Sequence, residues 1–352
     1  MDAKNLAVRI ARAPSGLPQR SDFVLVEEPM PVPAEGEVLF RAIYMSLDPS
    51  MRRKLPGPEG APVPLGGTQQ IGDLMIAGVP PPARGYMGGL VGQVVESRHA
   101  DFVQGDLVQG GCWWQTFQSV PGHSLEKLAP GTSLSEALGL LGQHGFVAWC
   151  GMRNIGAARP GETVVVSAAG GAIGMIAGQL AKADGARVIG IASGDKVQYV
   201  VDELGFDACI DRHAEDVRVA LDRLCPDGID VYFDNVGGDV MLAAYDRMTD
   251  FGRIVICGMA SEYNAVELPF GASLRPVLRK RLRIEGFVVY DHYEDQFADF
   301  QAEMRALIAA GKMKYRIEVI DGFEHAPDAL ARLLEGRNKG KMIVQLGSDP
   351  TD

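Results

Sequence analysis

Long apolar runs and paired cysteines are the features that this sequence most clearly lacks. It contains no apolar stretch of about 18 residues and no N-terminal apolar segment behind basic residues, so we expect neither a membrane span nor a secretory leader. Five cysteines are scattered without any CxxC spacing: Cys112, Cys150, Cys209, Cys225 and Cys257. Their odd number and wide spacing favour reduced thiols in the cytoplasm over a disulfide framework, and they offer no four-thiolate zinc site.

Positive charge is also scarce relative to negative charge. The sequence has 34 Lys and Arg residues against 45 Asp and Glu, a net charge of −11. This balance argues against a surface that binds nucleic acid or an anionic membrane. Apolar residues make up 47% of the 352 residues, and a chain of this length exceeds what one hydrophobic core usually serves. We therefore expect a globular protein of two domains.

A strand–turn–helix–strand pattern occupies residues 163–192. It opens with three consecutive valines, continues through a turn of small residues, and then shows apolar residues at helical spacing as far as Gly185. Such a turn lets a pyrophosphate reach the amides of a helix N-terminus, although small residues also pack ordinary turns. A side chain at Gly174 would push the helix away from the strand. We predict dinucleotide contacts at Ala169, which replaces the first glycine of the usual fingerprint, Gly170, Gly171, Ala172, Ile173 and Gly174.

The end of the second strand of this unit indicates which dinucleotide is bound. An NAD site usually has an acidic residue there to hold the ribose 2′-hydroxyl, but this strand ends in Ala192 and continues into Ser193. Lys196 and Arg212 are cations available to a 2′-phosphate, so we predict NADP(H), with both residues and Ser193 in contact with it. Asp195 could instead hold the ribose 2′-hydroxyl of NAD, although we expect it to cap the following helix.

The rest of the chain predicts the domain plan. Short apolar runs broken by Pro, Gly and Asp indicate a β-rich region over residues 1–128. A helical pattern covers residues 133–155. Later strands near 208–210, 231–234, 253–257 and 283–289 alternate mostly with helices, which predicts an α/β fold with a doubly wound parallel Rossmann sheet over 129–310. Because that sheet is then complete, we expect residues 311–352 to return to the first domain.

Several motifs resemble one family, the medium-chain dehydrogenase/reductase superfamily, and within it the zinc-independent alkenal/one reductase branch that includes prostaglandin and curcumin reductases. They are residues 48–52 (DPSMR), 204–207 (LGFD), 232–238 (YFDNVGG), 263–264 (YN) and 336–341 (GRNKGK). The resemblance covers nearly the whole chain. It implies a GroES-like catalytic domain formed by residues 1–128 and 311–352, and a homodimer for which an edge strand of the nucleotide sheet is a plausible seam.

The resemblance also implies roles for individual residues. Lys196 corresponds to the family lysine that holds the 2′-phosphate, and further cofactor contacts fall on Asn235, Cys257, Gly258, Met259, Tyr263, Phe287, Val288, Val289 and Asn338. Ser50, Met51, Arg52 and Tyr263 fall on the substrate side. Asn235 could instead form a turn, Phe287 and Val289 could be core residues, and Asn338 a loop residue. Three positions depart from the pattern: Ser50 and Arg212 replace tyrosines common among relatives, and Gln143-His144 replaces a more apolar pair.

A zinc site is not expected. The zinc-dependent relatives carry His and Glu within a glycine-flanked turn, whereas residues 87–92 read MGGLVG. His99 and His123 have no cysteine at ligand spacing and are better interpreted as surface or loop residues. Without a Lewis acid to lower the pKa of an alcohol, alcohol oxidation is disfavoured.

The reaction that remains is NADPH-dependent reduction of an α,β-unsaturated aldehyde or ketone, with hydride delivered to the β-carbon. Tyr263 is a candidate donor to the carbonyl oxygen or the α-carbon, and packing against nicotinamide is the alternative for it. His144 is a second candidate donor, although a lone histidine is more often a packing residue. Quinone reduction and a non-catalytic NADP(H)-binding module remain as alternative functions.

Overall fold

The computed structural model describes residues 4–57, 69–77, 89–265 and 271–351. The MGGLVG turn therefore lies partly outside the described residues. The chain divides into two compact units. The first unit comprises Met1–Gln143, Tyr263–Glu267 and Ile317–Asp352, and the second comprises His144–Glu262 and Leu268–Arg316. Both main boundaries lie later in the chain than residues 128 and 310.

The strands follow the predicted order closely. They are β1 Asn5–Ile10, β2 Phe23–Glu28, β3 Glu37–Ser46, β4 Leu90–Ser97, β5 Leu107–Gly110, β6 Phe117–Pro121, β7 Glu126–Lys127, β8 Thr163–Ser167, β9 Arg187–Ala192, β10 Ala208–Asp211, β11 Ile229–Asp234, β12 Met248–Ile256, β13 Arg283–Gly286, β14 Ile317–Asp321 and β15 Lys341–Gln345. The helices are α1 Leu134–Ala137, α2 Gln143–Cys150, α3 Gly174–Ala183, α4 Lys196–Asp202, α5 Val217–Leu224, α6 Gly238–Arg247, α7 Arg275–Lys280, α8 Tyr293–Ala309 and α9 Ala326–Leu334.

The second unit contains the predicted Rossmann sheet. Its six strands are parallel and lie in the order β10-β9-β8-β11-β12-β13, so the chain starts at the centre and winds outward in both directions. Val164, Val165 and Val166 of β8 have no exposed surface, as expected for a central strand covered by helices on both faces. The reversal of strand order beside β8 makes the carboxyl ends of β8 and β11 the place where a parallel sheet binds its ligand.

The first unit contains a mixed sheet in the order β14-β15-β3-β4-β5-β7, with β6 paired to β3. Strand β15 pairs antiparallel with β3 through Ile343 and Ser46, so the C-terminal segment returns to the β-rich unit as predicted. Its core is closed by helix α9, whose Leu330 is fully buried together with Met342 of β15.

Three predicted elements are wrong in extent, and one of them is β12, which begins at Met248 rather than near residue 253. The single helical pattern over 133–155 is two helices, α1 and α2, separated by a segment with Gly139 and Gly142, which weaken helix propensity. It then ends in a π-helical turn at Gly151–Gly156. Strand β13 stops at Gly286 rather than Val289, because a 3₁₀ turn begins at Val289. Within the described ranges, none of the helices combines the length and the apolar character needed to cross a bilayer.

The packing of α3 makes a stability prediction possible. A Cβ added to Gly178 would lie 1.8 Å from the Cζ of Phe206, a buried ring. The overlap should outweigh the gain of about 1 kcal/mol in helix propensity, so Gly178→Ala is expected to lower the free energy of unfolding by about 2 kcal/mol. Urea unfolding measures this change. In a Phe206→Leu background the same substitution should cost less, and an equal cost in both backgrounds would contradict the steric explanation.

Candidate functional site

The turn between β8 and α3 brings the helix close against the strand. Ala168 has a left-handed backbone with φ of 49°, and its carbonyl accepts a hydrogen bond from the Gly171 N–H at 2.8 Å. A Cβ on Gly174 would lie 2.3 Å from the Ala168 oxygen and 3.0 Å from the Ala169 Cα. The structure therefore gives Gly174 the packing role expected for it, because no larger residue fits between turn and helix.

The residues of this turn differ in their exposure to solvent. Ala169 and Gly170 are buried, and the Ala169 N–H donates to Ile191 of β9 at 3.0 Å. Gly171, Ala172 and Ile173 are partly exposed immediately before α3. The residue before α3 is Ile173, whose apolar side chain provides no cap for the first turn of the helix. The amides and the helix dipole at this end form an arrangement that favours an anion such as a pyrophosphate.

The structure brings Lys196 to this turn. A Cβ on Gly170 would lie 3.0 Å from the Lys196 Cβ and 3.3 Å from its Cγ and Cδ, so the lysine stem runs directly over the glycine. Ser193, which is half-buried, lies between the end of β9 and α4. The expected cap by Asp195 is wrong: this residue precedes α4, but its side chain accepts no capping hydrogen bond.

Arg212 lies at the end of the neighbouring strand, β10, and is exposed. Its N–H donates to the Ala192 carbonyl at 3.0 Å, which keeps the ends of β9 and β10 together. Sequence reasoning missed Asp211, which pairs with Ala192 in the parallel register and so places a carboxylate beside the tip of β9. That carboxylate accepts hydrogen bonds from the N–H groups of Gly194 at 3.3 Å and His213 at 3.0 Å. The strand order of the sheet was the only indication that could have revealed it.

The carboxyl end of β11 is organised by a fully buried carboxylate, Asp234. Its Oδ1 accepts hydrogen bonds from the Tyr232 hydroxyl at 2.9 Å, the Ser167 hydroxyl at 3.0 Å and the Val236 N–H at 2.9 Å. Gly237 donates its N–H to the same carboxylate at 3.0 Å. Burial, and then the adjacent carboxylate, raise the pKa of the Tyr232 hydroxyl well above its ordinary value, so it stays protonated and donates.

Asn235 follows this carboxylate and is fixed by β8. Its Nδ2 donates to the Ser167 carbonyl, and its N–H donates to the Ser167 hydroxyl, both at 2.8 Å. These hydrogen bonds fit the interpretation that Asn235 helps to form the turn after β11. Neither of them uses the side-chain oxygen of Asn235. The residue remains half-buried at the end of the sheet where ligands bind.

The loop after β12 is hydrogen-bonded to Asp234 at the carboxyl end of β11. The Cys257 and Gly258 N–H groups donate to the Asp234 carbonyl at 2.9 and 3.0 Å. The Met259 side chain packs over Gly237, where its Cε would lie 2.7 Å from an added Cβ. Burial raises the pKa of the Cys257 thiol, which favours its neutral form.

The remaining candidates of the second unit differ in exposure. The Phe287 ring packs near Gly151, with its Cζ 3.1 Å from the position of an added Cβ. Val288 is exposed and Val289 is buried. His144 is buried in the first turn of α2.

In the first unit the substrate-side candidates share a 3₁₀ turn, Pro49–Lys54. Ser50 is exposed, whereas Met51 and Arg52 are buried. The Arg52 Nε donates to the Gly16 carbonyl and to the Asn264 Oδ1, both at 3.1 Å, and the Arg53 guanidinium carbon lies 5.7 Å from the centroid of the Tyr263 ring. Tyr263 and the 3₁₀ turn are therefore brought together. Burial lowers the pKa of the Arg52 guanidinium, and the charge of Asp22 opposes that shift.

The motif GRNKGK meets the motif DPSMR through a buried ion pair. The ammonium of Lys341, 1% exposed, donates to the Ser46 hydroxyl at 2.6 Å, the Leu47 carbonyl at 2.8 Å and the Asp48 Oδ1 at 2.8 Å. Burial lowers the pKa of Lys341, and Asp48 opposes that shift. Asn338 is buried in the same motif, and its Nδ2 donates to the Gly340 carbonyl at 2.7 Å.

Among the described residues, no three or more His, Cys, Asp or Glu side chains are grouped so that they could hold a metal ion.

Two family models match this chain, one in its N-terminal part and one in its C-terminal part. Residues 172–346 match the family model described as "Zinc-binding dehydrogenase", and residues 7–128 match the model described as "N-terminal domain of oxidoreductase". The chain is 39% identical over 347 residues to the NADPH-dependent curcumin reductase of Escherichia coli, which covers 97% of this chain and 96% of that protein. It is 35% identical over 355 residues to the NADP(+)-dependent 2-alkenal reductase of Nicotiana tabacum, covering 99% of each.

A solved structure is similar over the same length. The crystal structure of CurA from Vibrio vulnificus in complex with NADPH superposes with a TM-score of 0.87 at 38% identity, covering 98% of this chain and 100% of that one. Together with the parallel sheet and the returning C-terminal strands, these matches show that the chain belongs to the medium-chain dehydrogenase/reductase superfamily, in the branch that contains the curcumin and 2-alkenal reductases.

Proposed function

We propose that this protein is an NADP(H)-dependent reductase of the carbon–carbon double bond in α,β-unsaturated aldehydes or ketones. The observation that carries the proposal is the position of Lys196 over Gly170, beside the small-residue turn before α3. A cation at that place suits the 2′-phosphate that distinguishes NADPH from NADH. The proposal is further supported by relatives named as NADPH-dependent curcumin reductase and 2-alkenal reductase, because both match almost the whole chain.

The residues of the second unit would hold the cofactor by their backbone and charge. The amides at Ala172 and Ile173 would bind the pyrophosphate beside Gly171, whose own N–H is used by Ala168, and Lys196 and Arg212 would bind the 2′-phosphate. The family resemblance is the basis on which we propose cofactor contacts for the remaining candidates, Asn235, Cys257, Gly258, Met259, Tyr263, Phe287, Val288, Val289 and Asn338. When bound, the reduced nicotinamide supplies the hydride, and the protein contributes orientation and electrostatics.

The substrate side requires a donor to the charge that develops on the carbonyl oxygen. In the proposed mechanism the Tyr263 phenol donates a hydrogen bond to this oxygen, or a proton to the oxygen or the α-carbon, as the enolate forms. His144 is the second candidate for the proton. We also propose that no metal takes part, because residues 87–92 (MGGLVG) lack the His and Glu that the zinc-dependent relatives carry in this turn, although the matched family model is described as "Zinc-binding dehydrogenase".

We further propose a homodimer that uses the β13 edge of the second unit. Strand β13 is the outermost strand of the parallel sheet, and its Ile284 is exposed. Leu274 and Leu278, beside and within α7, are 75% and 79% exposed, so the segment that leads into β13 carries two exposed apolar side chains. A cytoplasmic location stays a prediction from the sequence.

A substrate comparison tests the proposed reaction. The purified protein should oxidise NADPH with an enone such as 3-nonen-2-one and should yield the saturated ketone, because hydride is delivered to the β-carbon. Absorbance at the NADPH band and mass analysis of the product measure this. A quinone is the comparison substrate, and faster turnover with the quinone would contradict enone reduction. Prior dialysis against a chelator should leave activity intact, and a loss restored by zinc would overturn the metal-free mechanism.

The charge of Lys196 should control cofactor preference. Lys196→Ala is expected to raise the KM for NADPH by about 10- to 100-fold, because a charge-assisted contact to the 2′-phosphate is lost, while the KM for NADH should not change. Initial rates with each cofactor measure this. Lys312→Ala removes an exposed lysine elsewhere in the second unit and serves as the matched control. Equal changes for both cofactors would remove Lys196 from 2′-phosphate recognition.

The hydroxyl of Tyr263 should matter for turnover rather than for cofactor binding. Tyr263→Phe keeps the ring and removes the donor, so kcat for the enone should fall by about 100-fold. NADPH affinity, followed by quenching of its fluorescence, should be unaffected. An unchanged kcat would reduce Tyr263 to a packing residue.

A further inference from the structure

We propose that Arg52 is a positioning residue that holds the Tyr263–Asn264 segment in place, and that Lys341 holds the turn carrying Arg52. This inference rests on the proposed role of Tyr263 in enone reduction. It changes the expected role of Arg52, which was predicted on the substrate side. All the residues concerned belong to the first unit.

The Tyr263–Asn264 segment has no regular structure of its own to hold it. Both residues lie in a turn that continues without helix or strand through Ala265. Tyr263 and Asn264 belong to the short stretch Tyr263–Glu267 of the first unit. Because this turn lies outside any helix or strand, side-chain contacts to it from another element can help to set the orientation of the phenol.

Arg52 supplies the first of those contacts. Its side chain is buried at 8% exposure, and its Nε–H is shared between the Gly16 carbonyl and the Asn264 Oδ1 at 3.1 Å each. A buried guanidinium remains charged and needs acceptors, so its hydrogen bond to Asn264 is charge-assisted and resists exchange for water. The Nε edge of Arg52 is therefore committed to protein groups, which favours a positioning role over substrate contact.

Arg53 supplies the second contact. Its guanidinium carbon lies 5.7 Å from the centroid of the Tyr263 ring, within the range of a cation–π interaction. Arg52 and Arg53 are adjacent in one 3₁₀ turn, so one rigid element contacts both residues of the segment: the amide of Asn264 and the ring of Tyr263. Two contacts from one element restrict the rotation of the segment as well as its position.

Lys341 fixes that turn where it begins. Its buried ammonium binds three groups in consecutive residues, Ser46, Leu47 and Asp48, and Asp48 is the residue that precedes the turn. Asp48 also accepts the Ser46 hydroxyl at 2.6 Å. The hydrogen bond from Lys341 of β15 to Asp48 and the one from Arg52 to Asn264 are thus joined by the backbone of the 3₁₀ turn between them. A displacement of about 1 Å at a reacting group can cost about 100-fold in rate, so this connection has a direct bearing on turnover.

Hydrogen exchange in the full-length protein tests the positioning itself. Asn264→Leu keeps the approximate volume and removes the acceptor, and Arg52→Gln removes the guanidinium. Both variants should exchange the amides of residues 263–265 faster than the wild type. Arg52→Lys, which can still donate to Asn264, should restore part of the protection. Unchanged exchange in Asn264→Leu would overturn the proposal, and this variant decides the matter if Arg52→Gln fails to fold.

Kinetics then test the consequence for Tyr263. Asn264→Leu should lower kcat by about tenfold with unchanged NADPH affinity. In a Tyr263→Phe background the same substitution should have no further effect, because the group being positioned is gone. A further tenfold loss in that background would contradict positioning of the phenol. If Tyr263→Phe leaves kcat unchanged, the proposed donor role fails, while hydrogen exchange still decides whether Arg52 holds the segment.

Discussion

The carboxylate of Asp234 is the constraint on which the second unit's candidate site depends. A buried carboxylate is tolerated only when hydrogen bonds replace its hydration, and Asp234 receives donors from Tyr232, Ser167, Val236 and Gly237. These donors join the ends of β8 and β11. The turn they create requires left-handed backbone at Gly237 and Gly238, with φ of 74° and 56°. Because the Asp234 carbonyl also binds the loop after β12, the ends of three adjacent strands are organised around one residue.

The first unit also contains a buried charge that is held by hydrogen bonds, but this charge is positive. Lys341 is a buried cation, and its acceptors lie about 290 residues earlier in the chain, in Ser46, Leu47 and Asp48. The C-terminal strand β15 brings it there by pairing with β3. This explains why the motifs DPSMR and GRNKGK occur in one chain despite their separation. Each supplies one partner of an ion pair, and removing Asp48 would leave the buried charge of Lys341 without its counter-ion.

Much of the fold could be predicted because it depends on local patterns. Buried parallel strands are continuous β-branched runs, and the crossovers between them have helical periodicity, so the six strands and the returning tail were identified correctly. The errors concern where individual helices and strands begin or end and where a helix is interrupted. The break between α1 and α2 and the early end of β13 occur at glycines within otherwise regular patterns. Asp195 has the composition of a cap, but the backbone before α4 is already helical there, which does not suit a capping side chain.

The sequence by itself determined the order of elements, the small-residue turn before α3 and the kinds of residues available to bind a dinucleotide, because these depend on neighbours along the chain. Only the tertiary structure decided which of them meet. Asp211 reaches the end of β9 because β10 lies beside β9 in the sheet. Lys196 covers Gly170 because α4 follows β9. Arg52 contacts Asn264 although 212 residues separate them in the chain. Contacts of that kind depend on strand order and on the burial of charge, neither of which leaves a local pattern in the sequence.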